Sequence, residues 1–244
     1  MDLMKKLSLI GISCAIACTP TPIRALETAA MPDVTIDHLI VGTANLEEGI
    51  RQFTELSGAK PEIGGQHPGR GTQNALLSLG PRTYLELIAP VSGPPAEMPF
   101  LSGLKQLSAI GWAIGTKDLD ATKSRLEAAG FRVSAPRPGS RVRPDGQVLE
   151  WRTAGLEDVP GGLTPFLIEW GAKTAHPAST SPGGCSLAAM EISGPGLERL
   201  GKLVAELRLS ATVRAGTAPN LTFELACPAG RVKLTSSGPS STPR

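Results

Sequence analysis

Thr35–Thr43 reads TIDHLIVGT: short, apolar, rich in β-branched residues, ended by Gly42-Thr43 and carrying one histidine at its centre. An amphipathic run, Leu46–Leu56 (LEEGIRQFTEL), follows at once, so the pattern predicts a strand and then a helix. Successive side chains of a strand point to opposite faces. Ile36, His38 and Ile40 are therefore expected on one face, with Asp37, Leu39 and Val41 on the other. A histidine among aliphatics is either a hydrogen-bonded core residue or a ligand at the floor of a cavity. Repetition of the unit is what favours the second reading.

The first unit runs over 34–91. After its strand and helix, Gly58-Ala59-Lys60-Pro61 stops the helix, and a glycine-rich loop, GGQHPGRGT (Gly64–Thr72), leads into two strands, 73–79 and 83–88. The second unit, 109–172, repeats the pattern. IGWAIGT (Ile110–Thr116) is again a strand ending in Gly-Thr, Asp118–Ala129 is again a helix, and Pro144-Asp145-Gly146 marks a hairpin turn. PFLIEW (Pro165–Trp170) closes it as TYLELI (Thr83–Ile88) closes the first, which sets Glu169 opposite Glu86 in the repeat. A compact third copy covers 185–235, and the Ser/Pro/Gly-rich tail 236–244 is expected to be disordered. Two β-α-β-β-β units and a trimmed third, of βαβ type, make an internal repeat and an α+β fold. Each sheet has one face covered by its own helix, so the concave space between the first two units is where a site can form.

The chain has 244 residues and a net charge of +2, too weak a field for nucleic-acid binding. Its 28 Gly and 22 Pro require many turns, which argues against a helical bundle. Lys5-Lys6 followed by the apolar run LSLIGISCAIA (Leu7–Ala17) reads as an export signal within 1–25, too short to span a membrane. Ala15-Ile16-Ala17-Cys18 also resembles a lipoprotein cleavage site, although Leu is more usual where Ala15 stands. The mature protein is thus expected in the periplasm or secreted, soluble or anchored through Cys18, with no integral span. After processing, Cys185 and Cys227 are an even pair, open either to a disulfide or to burial as two small hydrophobes.

Asp37-His38-Leu39, the loop GQHPGRGT (Gly65–Thr72), Tyr84-Leu85-Glu86 and Pro165–Trp170 with His176-Pro177 beyond together resemble the vicinal oxygen chelate superfamily, specifically its glyoxalase-like domain proteins. The resemblance covers roughly 34–234. It implies paired βαβββ modules around one divalent metal (zinc, nickel, manganese or iron), held by the first and last strands of each unit. Carried over, the ligands are His38, Glu86 and Glu169. Gly111 stands where a fourth belongs, and His67 could supply the missing nitrogen if its loop folds inward. One strand histidine is too few for the two-His-one-carboxylate site of a ring-cleaving dioxygenase. The implied function is a lyase or isomerase in which the metal polarises a small carbonyl substrate and Glu169 or Glu86 is the general base. His67, Arg70, Asn74, Arg143 and Trp151 are the candidate substrate contacts. Arg141 and Arg143, two apart on one strand face, otherwise read as a solvated pair, with carboxylate binding as the alternative, and Trp112 as packing. The alternative function is a metal-free protein that sequesters a small molecule. No Gly-x-Ser-x-Gly elbow, dinucleotide fingerprint or structural-zinc spacing is present, and pairing of identical chains is left open.

Overall fold

The computed structural model describes residues 33–159, 163–236 and 238–243. The expected export signal and Cys18 fall within the first 32 residues, which lie outside them. Among the described residues, no helix is long and apolar enough to cross a membrane.

The first module is β1 (Val34–Gly42), α1 (Leu46–Ser57), β2 (Glu62–His67), β3 (Thr72–Ser78) and β4 (Tyr84–Pro90). Asn45 caps α1 by accepting from the Glu48 amide, and Gly58, at φ 71°, ends it in the left-handed conformation. The second module is β5 (Ser108–Thr116), α2 (Leu119–Ala128), β6 (Arg137–Val142), β7 (Val148–Gly155) and β8 (Phe166–Trp170). Its helix is capped in the same way, Asp118 accepting from the Ala121 amide. One eight-stranded sheet joins the modules in the order β2-β3-β4-β1-β5-β8-β7-β6. Its central seam is the antiparallel pairing of β1 with β5.

Two features differ from the sequence-based expectation. Gly64–His67, expected in a loop, lies in β2, because these residues pair with Thr72–Asn74 of β3. The tail, expected to be disordered, forms β13 (Gly238–Pro243) along β12 (Gly230–Thr235), whose outer edge otherwise offers unpaired backbone groups. The third unit contributes β9 (Ser186–Gly194), α4 (Glu198–Glu206), β10 (Thr212–Ala215) and β11 (Asn220–Cys227). With β12 and β13 these strands build a separate sheet in the order β10-β9-β11-β12-β13. A four-residue α3 (Pro177–Thr180) precedes it.

A single apolar core runs from the large sheet into the third unit. Leu39, Val41, Phe53, Leu85, Leu87, Trp112, Ile114 and Leu167 are continuous with Ile192, Leu200, Phe223 and Val232. Trp112 is fully buried there and donates its indole N–H to the Leu163 carbonyl, 2.9 Å away. The opposite face of the large sheet carries no long helix; only the short α3 packs on it, Ala178 lying against Leu76 and Tyr84. The outer strands β2 and β6 also meet: Arg141 of β6 donates to the Gly64 carbonyl of β2. A Cβ at Gly65 would lie 2.7 Å from the Val142 carbonyl oxygen, so only glycine allows that approach. The sheet is curled and nearly closed around this face.

Candidate functional site

The site begins with an irregularity in β1. Against β5, Ile36 faces Ile114 and His38 faces Ala113, so Asp37 is an extra residue, a β-bulge. Strict alternation predicted Asp37 on the face opposite His38. The bulge instead brings its carboxylate beside the imidazole, with Asp37 Oδ1 2.7 Å from His38 Nδ1. Gly115 makes room, since a Cβ there would stand 2.7 Å from Asp37 Oδ2. That second oxygen accepts from Trp170 Nε1 and His176 Nε2, each at 3.0 Å. Burial raises the Asp37 pKa, but the hydrogen bonds from His176 and His38, together with their charges, outweigh it and lower the value to about 2. Asp37 is therefore a carboxylate that can only accept, so the proton on His38 sits at Nδ1. Nε2 is left as an acceptor aimed into the cavity. The Ala178 amide donates to His176 Nδ1, which likewise leaves His176 Nε2 as the donor to Asp37.

Glu86 faces this imidazole from β4, with Oε2 3.7 Å from His38 Nε2. Its other oxygen accepts from Asn74 Nδ2 at 2.6 Å, and the same amide group reaches His67 Nε2 at 3.2 Å. Thr72 Oγ1, 2.9 Å from Nδ1, holds the far side of the His67 ring. Burial pushes the Glu86 carboxyl up, but His67, His38, the Asn74 hydrogen bond and Arg141 hold it below the usual range. Burial is also the main reason the His67 pKa falls, against the opposing pull of Glu86. Tyr84 stacks on His38 with ring centroids 4.7 Å apart. Burial, with Asp37 and Glu86 nearby, pushes its phenol well above its ordinary value.

The proposed ligand set of His38, Glu86 and Glu169 is not assembled. In β8 it is Phe166, Ile168 and Trp170 that line the cavity, whereas Leu167 and Glu169 point to the helix-covered side. Glu169 is directly across from Arg152 of β7, with 2.7 Å between Glu169 Oε2 and Arg152 Nε, and Arg152 reaches on to Asp120 in the first turn of α2. Matching PFLIEW to TYLELI by their glutamates slips the register by one residue, which reverses the face. The position equivalent to Glu86 is Ile168. His67 does turn inward, with Nε2 3.5 Å from Glu86 Oε1, yet the Asn74 amide donates to both and so occupies the lone pairs a cation would need. Among the described residues, no three or more His, Cys, Asp or Glu side chains form a metal-holding group. The residues present do not fit the expected metal.

The cavity has a volume of about 160 Å³. His38, His67, Asn74, Glu86 and Arg141 form its polar end, and Ile40, Ile88, Met98, Phe166 and Ile168 its apolar wall, with Trp151 and Trp170 beside them. Arg70 stands at the rim, tied to Glu97. Arg143 is outside: it lies by the β6–β7 turn, next to Asp145. Trp151 and Trp170 also border an open outer groove of about 790 Å³, where Glu169 and Arg152 lie. Sequence reasoning missed Asp37, Tyr84 and Trp170 and set Arg141 in solvent. The adjacent Asp-His pair and the glycine at 115 were the available signals for the bulge.

A family model described as a glyoxalase-like domain matches residues 36–208. No curated protein matches the chain. Among solved structures, a hypothetical protein from Staphylococcus aureus is similar at 13% identity and a TM-score of 0.60, over 76% of this chain and 88% of that one. Methylmalonyl-CoA epimerase from Mycobacterium tuberculosis is similar at 23% identity and a TM-score of 0.46, over 60% of this chain and 95% of its own. A hypothetical protein from Bacillus halodurans C-125 has 18% identity and a TM-score of 0.45, over 58% and 98%. At these identities the likeness is one of fold.

Proposed function

Because the chain belongs to the glyoxalase-like domain family of the vicinal oxygen chelate superfamily, we propose that it is a lyase or isomerase that moves a proton at a carbon beside a carbonyl, without a metal. The observation that carries this reading is the line Asp37–His38–Glu86. His38 Nδ1 is held on a buried carboxylate, and Nε2 faces the cavity 3.7 Å from a second one. A proton taken from the substrate by Nε2 creates an imidazolium flanked by two negative charges, which favours the transfer. The electron pair of the broken C–H bond passes to the carbonyl oxygen, where the Arg141 guanidinium stabilises the enolate. Asn74 and His67 fix the Glu86 carboxylate, so Glu86 supports the imidazolium and is the poorer base. A cavity of about 160 Å³ selects a small reacting group.

The apolar second-module wall of Phe166, Ile168 and Trp170 favours a second reading, in which the cavity only sequesters a small molecule. Export is proposed as well. The Cys185–Cys227 bond, with an S–S distance of 2.05 Å, accords with an oxidising compartment.

The test is NMR-detected loss of α-C–H signal in D2O over a panel of small aldehydes, ketones and 2-oxo acids. Wild type is expected to exchange at least one substrate, and His38→Gln to slow it by about a hundredfold or more. Elemental analysis accompanies it. Full activity in His38→Gln, or a stoichiometric metal lost in Glu86→Gln, overturns the metal-free mechanism. Tight ligand binding with no exchange in wild type replaces it with sequestration.

A further inference from the structure

Arg141 is the one cavity-lining cation withdrawn from solvent, with the residue only 3% exposed. A guanidinium has five N–H groups in a planar fork, and leaving such a charge buried without an anion is costly. One N–H group donates to the Gly64 carbonyl, and among the described residues this is its only hydrogen bond. No carboxylate lies within ion-pair distance of it there. Glu86 influences Arg141 electrostatically but spends Oε1 on Asn74 and turns Oε2 toward His38. The remaining nitrogens are not closed off in protein, because among the described residues the only fully buried side-chain nitrogen or oxygen atom without a partner is Asn74 Oδ1. Arg141 lines the cavity on one side and a narrow cleft beside Pro177 and Thr180 on the other, and of these two spaces only the cavity has room for a ligand.

The neighbours keep the group from turning away. Gly65 of β2 lets β6 come close enough for the guanidinium to lie against backbone, and a side chain there would meet the Val142 carbonyl oxygen at 2.7 Å. Contact with the Gly64 carbonyl aligns the fork from behind. The apolar lining residues Ile40, Ile88, Met98, Phe166 and Ile168 offer no anion. Arg70, the other nearby cation, is exposed at the rim and already paired with Glu97. One cation with free donors at the polar end and an aliphatic wall beyond define a ligand with one charged end and a short apolar body.

We infer that the cavity takes a small carboxylate, whose two oxygens lie on the fork of Arg141 and whose apolar body packs on Phe166 and Ile168. This names the substrate class of the same site and rests on the proton-transfer reading for its catalytic meaning. The carboxylate is then both the anchor and the group whose oxygens take the electron pair on Arg141, and the carbon beside it is the one that His38, lining the same cavity, deprotonates. A bidentate carboxylate–guanidinium pair is planar and directional, so lysine cannot replace arginine without loss.

The experiment is calorimetric titration of the full chain with propionate, its neutral analogue propionamide, and inorganic phosphate, for wild type, Arg141→Lys, Arg141→Met and His38→Gln. Thermal unfolding identifies any variant that does not fold. Propionate is expected to bind wild type at least tenfold more tightly than propionamide or phosphate. Arg141→Lys, which keeps the charge and can still reach the Gly64 carbonyl, is expected to bind propionate at least fivefold more weakly, whereas His38→Gln retains binding. Equal affinity for propionate and propionamide, stronger binding of phosphate, or undiminished propionate binding in a folded Arg141 variant overturns the inference. Failure here with α-C–H exchange intact on a neutral carbonyl leaves the proton-transfer reading standing. Carboxylate binding with no exchange on any substrate does the reverse.

Discussion

His38 has three sets of neighbours, and each sets a different property. Asp37 fixes its tautomer, Tyr84 its ring plane, and Glu86 the charge it faces. Asp37 also links the site to acid stability. Its folded pKa of about 2 lies below its ordinary value of 3.8. A lowered carboxyl pKa contributes stability that is complete above the unfolded value and is lost as pH falls through the folded one. The window is therefore roughly pH 4 down to 2, and the contribution is about 2 kcal/mol. Urea unfolding at steps from pH 6 to 2.5 should show that loss in wild type and a flatter profile for Asp37→Asn, which is less stable at pH 6. An identical acid profile in the variant would place the titrating group elsewhere. At this scale His38, His67, Asn74 and Glu86 were legible because polar residues in apolar or glycine-rich strands stand out. Arg141 was not, since two arginines spaced by two look the same whether they face water or a cavity.

Single-residue shifts in strand pairing decide which side chains face the cavity. The bulge at Asp37 adds a carboxylate to the site, and the register of β8 removes one, sending Glu169 to Arg152 and the start of α2. Both follow from the period of two in a strand, in which one residue reverses the face. Gly115 is the support of the first shift. Gly115→Ala on β5 places a methyl group 2.7 Å from Oδ2 of Asp37, whose carboxylate is held in place by His38, Trp170 and His176. The variant is expected to lose about 1–3 kcal/mol in urea unfolding and to lower the exchange rate as His38 loses its fixed partner. Unchanged stability together with an unchanged rate would show that the bulge relaxes at no cost. Strands and helices themselves were readable from periodicity, caps and turns. Registers were not, because two alternating patterns differing by one residue are equally good as local sequence.

For the whole molecule, the curled sheet and the third unit act together. The sheet closes where Gly65 lets β2 approach β6, and this makes a cavity out of what would be an open face. The third unit covers the outside of the fold: its core is continuous with that of the modules, and the Ala229 amide donates to the Ser57 carbonyl at the end of α1. Cys185 and Cys227 join the start of β9 to the end of β11 across a sequence separation of 42. Replacing both by serine frees that loop in the unfolded chain and is expected to cost about 2–4 kcal/mol. Non-reducing urea unfolding of wild type and the double variant measures it, and equal midpoints would show that the bond carries no net stability. The amino-acid sequence by itself determined the α+β class, the repeated modules, the compact third unit and His38 and Glu86 as the polar residues to watch. These rest on local periodicity and on repetition, which need no knowledge of what lies across space. Only the tertiary structure decided that Asp37 holds His38, that Glu169 faces away, that Asn74 binds both His67 and Glu86, and that Arg141 is buried at the cavity. Each depends on pairing register or on the meeting of two distant edge strands, and those are set by the packing of the whole sheet.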